Sequence, residues 1–394
     1  MSNPVIVNAV RTPVGKARKG TLVNYRPDDL AAHAMKALLE RTPALDPAEI
    51  GDIVFGCAEP EAEQGVNVAN IAKFAAGIPF TVPAVTLNRM CASGLQSIAF
   101  ANDSIVVGRH EVTIGGGCES MTMVPMGGHK ISPNPDLMDT YPEVYTTMGL
   151  TAERVAEKYG VTREEQDQYA YESNMRAVQA IKDKKFEDET VPISFEQTQV
   201  GPDGKPTTKT IELTVDEGPR ADTTLEALAG LRTPFKQKGT VTAGNASQMS
   251  DGAACVLLMS EEKAKALKLK PLARLVGYTA AGVEPELMGI GPMKAVPKVL
   301  ELTGLKLDDI GLIELNEAFA AQTLAVIKEL GLNREITNVN GGAIALGHPL
   351  GATGAILTVR MIHEMRRRKV KYGLVTMCVG GGMGGAGVME NPDA

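Results

Sequence analysis

The sequence predicts an α/β protein made of two duplicated halves, the first interrupted by an insert, and three observations lead there. Apolar strand-like runs alternate with helix-like segments up to about residue 120, the pattern of a sheet with helices on its faces. The same landmarks then return late in the chain. Lys306 to Ile313 echoes Asp46 to Ile53, the turn at Gly347-His348-Pro349 stands where Cys91 stands, and Gly380-Gly381-Gly382 matches Gly115-Gly116-Gly117, at offsets of 260, 257 and 265. Residues from about 121 to 250 break the alternation. The expected organisation is a first half of residues 1–120 plus 251–269, an inserted domain of 121–250 and a second half of 270–394.

Taken in order, residues 4–9 read as a buried strand and Arg11 to Lys19 as a basic loop. Pro27-Asp28-Asp29 opens a helix whose Leu30, Ala34 and Leu38 share one face. A strand follows at Asp52–Gly56, then a helix from about Val66 to Ala76. The run from Val82 to Leu87 ends in a polar turn, and helical spacing resumes with Leu95, Ile98, Ala99 and Ile105. The strand Glu111–Ile114 runs into Gly115-Gly116-Gly117-Cys118. Within the insert, Met121 to Pro142 reads as a loop, Thr162-Arg163-Glu164-Glu165 as a capping box, and 191–215 as a hairpin turning at Gly201-Pro202-Asp203-Gly204. A strand from Ala253 to Met259 and a helix capped by Ser260 lead back into the first half.

Composition narrows the function. A net charge of −7 over 394 residues argues against a nucleic-acid partner, which needs a basic face. Cys57, Cys91, Cys118, Cys255 and Cys378 are odd in number and contain no CxxC pair, so neither a disulfide framework nor a zinc site is indicated. The opening Met-Ser-Asn-Pro-Val-Ile-Val has no signal-peptide pattern, and no run of 18 apolar residues occurs. The expectation is a soluble cytoplasmic protein without a membrane partner. Arg366, Arg367 and Arg368 read as a solvated face near a helix C-terminus.

The chemistry gathers in a few turns. Asn88 to Gly94 places Cys91 just before a helix, where free N–H groups and the dipole lower a thiol pKa, although a lone cysteine is ordinarily a small core residue. Asn340 to Gly354 sets five glycines around His348, a base for a thiol proton if it stays neutral or a structural histidine in a tight turn. Cys378-Val379-Gly380-Gly381-Gly382 ends a strand in bare N–H groups that suit an anion nest or oxyanion hole. A dinucleotide loop would need a following helix and acidic residue that this stretch does not supply. Asn316 is either a helix N-cap or an amide that holds a water against an oxyanion. Ala243 to Ser247 is a small-residue turn open to a ligand.

Together, Asn88-Arg89-Met90-Cys91-Ala92-Ser93-Gly94, Gly244-Asn245-Ala246-Ser247, Asn316-Glu317-Ala318-Phe319, Gly347-His348-Pro349 and Cys378-Val379-Gly380-Gly381-Gly382 resemble the thiolase family over essentially the whole chain. The resemblance implies a five-layered α-β-α-β-α fold from two βαβαβαββ halves with an inserted loop domain. It implies Cys91 as acyl-accepting nucleophile, His348 as its base and Cys378 as the second acid/base. Asn316, through a water, and His348 would form one oxyanion hole, and the N–H groups of Cys91 and Gly380 the other. Coenzyme A and acyl-CoA would be substrates, with no metal and no permanently bound cofactor. Arg220, Phe235, Ala243 and Ser247 would line the coenzyme A path, with Met148, Met288, Ala318 and Phe319 along the inner tunnel. The family also implies a homodimer or homotetramer. Thr147 stands where short-chain members carry a His, which points to cleavage of longer 3-ketoacyl-CoA in fatty acid β-oxidation, with acetoacetyl-CoA formation as the alternative.

Overall fold

The computed structural model describes residues 3–200 and 205–394, so the expected turn at Gly201-Pro202-Asp203-Gly204 lies outside the described residues. The first sheet uses β1 (Pro4–Arg11), β2 (Gly15–Lys16), β3 (Asp52–Gly56), β4 (Ala84–Leu87), β5 (Val112–Ser120) and, after the hairpin β6 (Ile193–Val200) and β7 (Pro206–Leu213), β8 (Ser250–Ser260). Its order is β1-β8-β5-β3-β4, with β2 beside β8. The second sheet, β9 (Arg274–Gly282), β10 (Leu312–Leu315), β11 (Tyr372–Val379) and β12 (Met383–Glu390), has the order β10-β11-β12-β9. The two orders superpose as β3-β5-β8-β1 on β10-β11-β12-β9, each with one parallel pair followed by two antiparallel ones. β3 starts at residue 52 and β10 at 312, and β5 starts at 112 and β11 at 372, so both pairs are 260 residues apart.

Helices separate the sheets into layers. α1 (Pro27–Glu40) and α2 (Val68–Ala75) cover the outer face of the first sheet, and α3 (Ser93–Val106) its inner face. The insert supplies α4 (Pro135–Thr140), α5 (Met148–Tyr159), α6 (Arg163–Lys182) and α7 (Leu225–Ala229), and α8 (Glu261–Ala266) follows β8. In the second half, α9 (Gly291–Thr303) and α10 (Ala320–Leu330) cover the outer face, while α11 (Ala343–Leu346) precedes the central α12 (Leu350–Arg368). β8 shows why five layers result. Its Ala253, Cys255, Leu257 and Met259 face the α1 side, whereas Ala254, Val256 and Leu258 face α3 and α12, so a strand buried on both faces is apolar throughout.

Glycine lets the two central helices meet at their starts. A Cβ on Gly94 would lie 2.6 Å from Ala355 N, and one on Gly354 would lie 2.4 Å from Leu95 N. No larger residue fits this crossing, which carries the segments just before α3 and α12 to the same place. The same pressure corrects the reading of Gly115-Gly116-Gly117. They lie inside β5 rather than beyond it, because a Cβ on Gly115 would strike Ile98 of α3 and one on Gly117 would strike Gly351 O.

Two further expectations change, and a third holds. Arg11 is not part of an open basic loop. It ends β1 at 1% exposure, its Nε bonded to Glu189 at 2.7 Å and its Nη atoms to Asp216 at 2.7 and 2.9 Å, partners that arrive from the insert. Arg367 and Arg368 are exposed in the last turn of α12, as expected, and they pair with the buried Glu364 while Arg366 pairs with Asp393. The second helix begins at Val68 rather than Val66, since Asn67 adopts φ of 124° and accepts from Asn70 N as its cap. The capping box at Thr162 and the Ser260 cap are both present.

Candidate active site

The carboxyl ends of β10 and β11 face the starts of α3 and α12, the usual position for a site in an open α/β sheet. Cys91 sits in a short 3-10 turn, Met90–Ala92, between β4 and α3. Met90 is held at φ of 43°, a strained value for a side chain of this kind, by neighbours on both sides. Asn88 Oδ1 accepts from Met90 N at 2.7 Å, Ser93 Oγ donates to Met90 O at 2.7 Å, and Ser93 Oγ accepts from Arg89 N at 2.8 Å. The motif around Cys91 is thus largely turn-building machinery. His348 lies two residues before α12, whose Leu350 packs beside Cys91 with Ala58 and Met121. Asn316 follows β10, and its backbone N–H donates to Thr376 O at 2.9 Å. Cys378 is the next-to-last residue of β11.

These groups interact. The backbone N–H groups of Gly380 and of Cys91 itself act to lower the Cys91 thiol pKa, and an ionised Cys91 would raise that of Cys378. The Asn316 amide Nδ2 reaches His348 Nε2 at 3.3 Å, and Asn316 Oδ1 is buried with no hydrogen-bond partner among the described residues. Burial dominates the electrostatics. It pushes the Cys91 thiol up to about 11 despite the two N–H groups, which reverses the lowering expected from the helix start alone. It pushes His348 down to about 4, so the imidazole is neutral at pH 7 for reasons of desolvation. Cys378 is raised well above an ordinary thiol, first by burial and then by the Cys91 charge. At rest the site therefore holds two protonated thiols and one neutral base.

Of the expected coenzyme A residues, Met288, Ala318 and Phe319 share a buried apolar cluster with Cys378, and Met148 packs against it. Phe235 meets Phe319 edge-on at 6.3 Å between ring centroids. Ser247 N donates to Ala318 O at 2.9 Å, which fixes the 243–247 turn against this cluster and leaves Ala243 exposed. Asn245 in that turn is structural, donating to Asp167 Oδ1 at 2.9 Å and accepting from Thr242 N at 2.8 Å. Arg220 is exposed on the loop before α7, its backbone N–H donating to Asn174 Oδ1.

Comparison with known proteins decides the family. A model of the thiolase N-terminal domain matches residues 4–262, and one of the thiolase C-terminal domain matches residues 269–391. The chain belongs to the thiolase family. A 3-ketoacyl-CoA thiolase of Bacillus subtilis (strain 168) is 54% identical over 390 residues, covering 99% of this chain and 100% of that protein. A peroxisomal 3-ketoacyl-CoA thiolase 5 of Arabidopsis thaliana is 46% identical, covering 99% and 86%. Among solved structures, human mitochondrial 3-ketoacyl-CoA thiolase aligns with TM-score 0.88 at 39% identity. The Bacillus anthracis acetyl-CoA acetyltransferase aligns with TM-score 0.90 at 42% identity, and each of these two structures covers 99% of both chains. The thiolase fold expected from the sequence is the fold observed.

Two buried carboxylates support this thiolase site without having been singled out in the sequence. Glu119, at the end of β5 and fully buried, accepts from Ala58 N and Gly351 N at 2.7 Å, from Gln64 Nε2 at 2.6 Å and from Glu59 N at 3.2 Å. It thereby ties the start of α12 to the first half. Glu317, next to Asn316, accepts from Tyr169 and Ser173 of α6, from Asn338 and from Ile344 N, at 2.7 to 3.2 Å. An acidic residue inside an apolar strand was the available signal for Glu119, and one just past an apolar strand for Glu317.

The high thiol pKa has a measurable sign. Below its pKa the thiolate is the minor form, so iodoacetamide alkylation of Cys91 is expected to accelerate about tenfold per unit from about pH 7 to about pH 10. Mass analysis of the Cys91 peptide reads this rate. A plateau already reached near neutrality would mean a preformed thiolate and imidazolium instead.

Proposed function

We propose that this thiolase cleaves 3-ketoacyl-CoA with coenzyme A, giving acetyl-CoA and an acyl-CoA two carbons shorter, as an acetyl-CoA C-acyltransferase of fatty acid β-oxidation. The observation that carries the reading is the pairing of two buried thiols with one neutral imidazole. Cys91 attacks the 3-keto carbon while its proton passes to His348. The bond between C2 and C3 breaks, the acyl group stays on the Cys91 sulfur, and Cys378 protonates the departing enolate carbon. Coenzyme A then attacks the acyl group, its thiol proton returns to Cys378, and His348 gives its proton back to Cys91. The unpartnered Asn316 Oδ1 supports a water at that amide, which with His348 would face one oxyanion. The N–H groups of Gly380 and Cys91, whose effect on the Cys91 thiol supports the reading, would form the other.

In this reading residues 121–250 form the domain that takes coenzyme A, with Arg220 and Phe235 toward the nucleotide end and Met148, Met288 and Phe319 toward the acyl end. The protein works in the cytoplasm as a homodimer or a homotetramer. No helix among the described residues is long and apolar enough to cross a membrane. The open edge of the first sheet at β4, with Val66, Phe74, Phe80 and Val85 exposed around it, supports self-association there.

Chain length is tested directly. With acetoacetyl-CoA and a medium-chain 3-ketoacyl-CoA compared under the same conditions, kcat/KM is expected to be higher for the longer substrate. Exclusive use of the four-carbon compound would transfer the assignment to an acetyl-CoA acetyltransferase, the name borne by one structural relative.

A further inference from the structure

Each nitrogen of the His348 ring has its own buried partner. Nε2 lies 3.3 Å from Asn316 Nδ2, and Nδ1 lies 2.6 Å from Thr353 Oγ1. Thr353, 3% exposed, stands in the first turn of α12, and its hydroxyl is also 2.8 Å from the carbonyl of Pro349, four residues back. A hydroxyl has one proton to give. Donated to Pro349 O, it leaves only lone pairs toward the imidazole, so Nδ1 must carry the ring hydrogen and donate. Nε2 then presents a lone pair, which the Asn316 N–H meets. The opposite tautomer would oppose an Nε2–H to an amide N–H and would pull the threonine proton away from Pro349.

We infer that Thr353 is a positioning residue that keeps the His348 proton on Nδ1, so that Nε2 carries a lone pair which can leave its long contact with Asn316 to receive the Cys91 thiol proton. In a neutral imidazole the hydrogen bond at one nitrogen sets the protonation of the other. Nδ1 is closed off against the helix start, so Nε2 is the nitrogen left for chemistry. A base in the wrong tautomer offers a hydrogen where a lone pair is needed, and catalysis falls although the ring has not moved. The inference rests on His348 acting as the base of the proposed mechanism.

Nitrogen-15 NMR of histidine-labelled wild-type protein reads the tautomer directly, and an Nδ1–H, Nε2-bare ring is expected. Thr353→Val, which keeps the shape and loses the hydroxyl, should lower kcat about tenfold or more with KM changed by less than about twofold. It should also lose the Nδ1–H signature. Thr353→Ser should keep that signature and recover most of the rate. An Nε2–H ring in the wild type, or a Thr353→Val enzyme with unchanged kcat, would overturn the inference. If the valine variant does not fold, the wild-type and serine spectra still decide it. Failure of the base assignment is read separately. His348→Gln with an unaltered Cys91 alkylation rate would remove the base, whatever the tautomer is found to be.

Discussion

Replacing Cys378 with Ala is expected to slow cleavage of 3-ketoacyl-CoA by about a thousandfold, within the range that general acid catalysis supplies. The loss should be selective. Exchange of labelled coenzyme A into a saturated acyl-CoA needs only transfer of the acyl group to Cys91 and back, with no carbanion, so the variant should retain most of that exchange. The structure gives the reason. Cys378 is fully buried, and burial holds its proton in place, which makes it a proton donor in reserve rather than a second nucleophile. Its cluster of Met288, Ala318 and Phe319 is apolar, so a methyl group there is well tolerated and the fold should survive. Equal loss of both reactions would point to damage at Cys91, and unchanged cleavage would take Cys378 out of the mechanism.

The Cys91→Ala variant should fail in both reactions. Removing the nucleophile of a covalent mechanism commonly costs about four orders of magnitude or more. Intact-mass measurement after mixing with acyl-CoA should show an acyl adduct on the wild type and on the Cys378 variant but none on this one. An adduct appearing on Cys378 of the Cys91→Ala protein would exchange the parts given to the two thiols. The backbone at Met90 makes the comparison clean, since the strained turn is held by Asn88 and Ser93 and not by the cysteine side chain.

Much of this was legible in the sequence because its causes are local. A strand that stops at a polar turn before helical spacing, or a histidine among glycines, shows its geometry within a dozen residues, and the repeat showed the second half by comparison with the first. What could not be read depends on distant partners. Arg11 looked like a solvated base because Glu189 and Asp216, which bury it, lie in the insert. Glu119 draws on residues 58, 59, 64 and 351, a set that no periodicity brings together. The Cys91 pKa was misjudged because a helix start is visible in a sequence while the depth of its burial is not. Gly115 to Gly117 read as the end of a strand rather than its middle because the helices that crowd Gly115 and Gly117 belong to other stretches.

The two halves close their sheets over unequal lengths of chain. β11 reaches its antiparallel neighbour β12 across three residues, Gly380–Gly382, whereas β5 ends at Ser120 and waits for β8 at Ser250. β8 lies between β1 and β5, so both of those strands leave the ribosome with an open side that only a strand made much later can fill. Closing so long a loop has an entropic cost that the second half avoids. The half synthesised first is thus the one whose sheet must be completed late, and the nascent chain carries two unsatisfied strand edges through most of the synthesis of its insert.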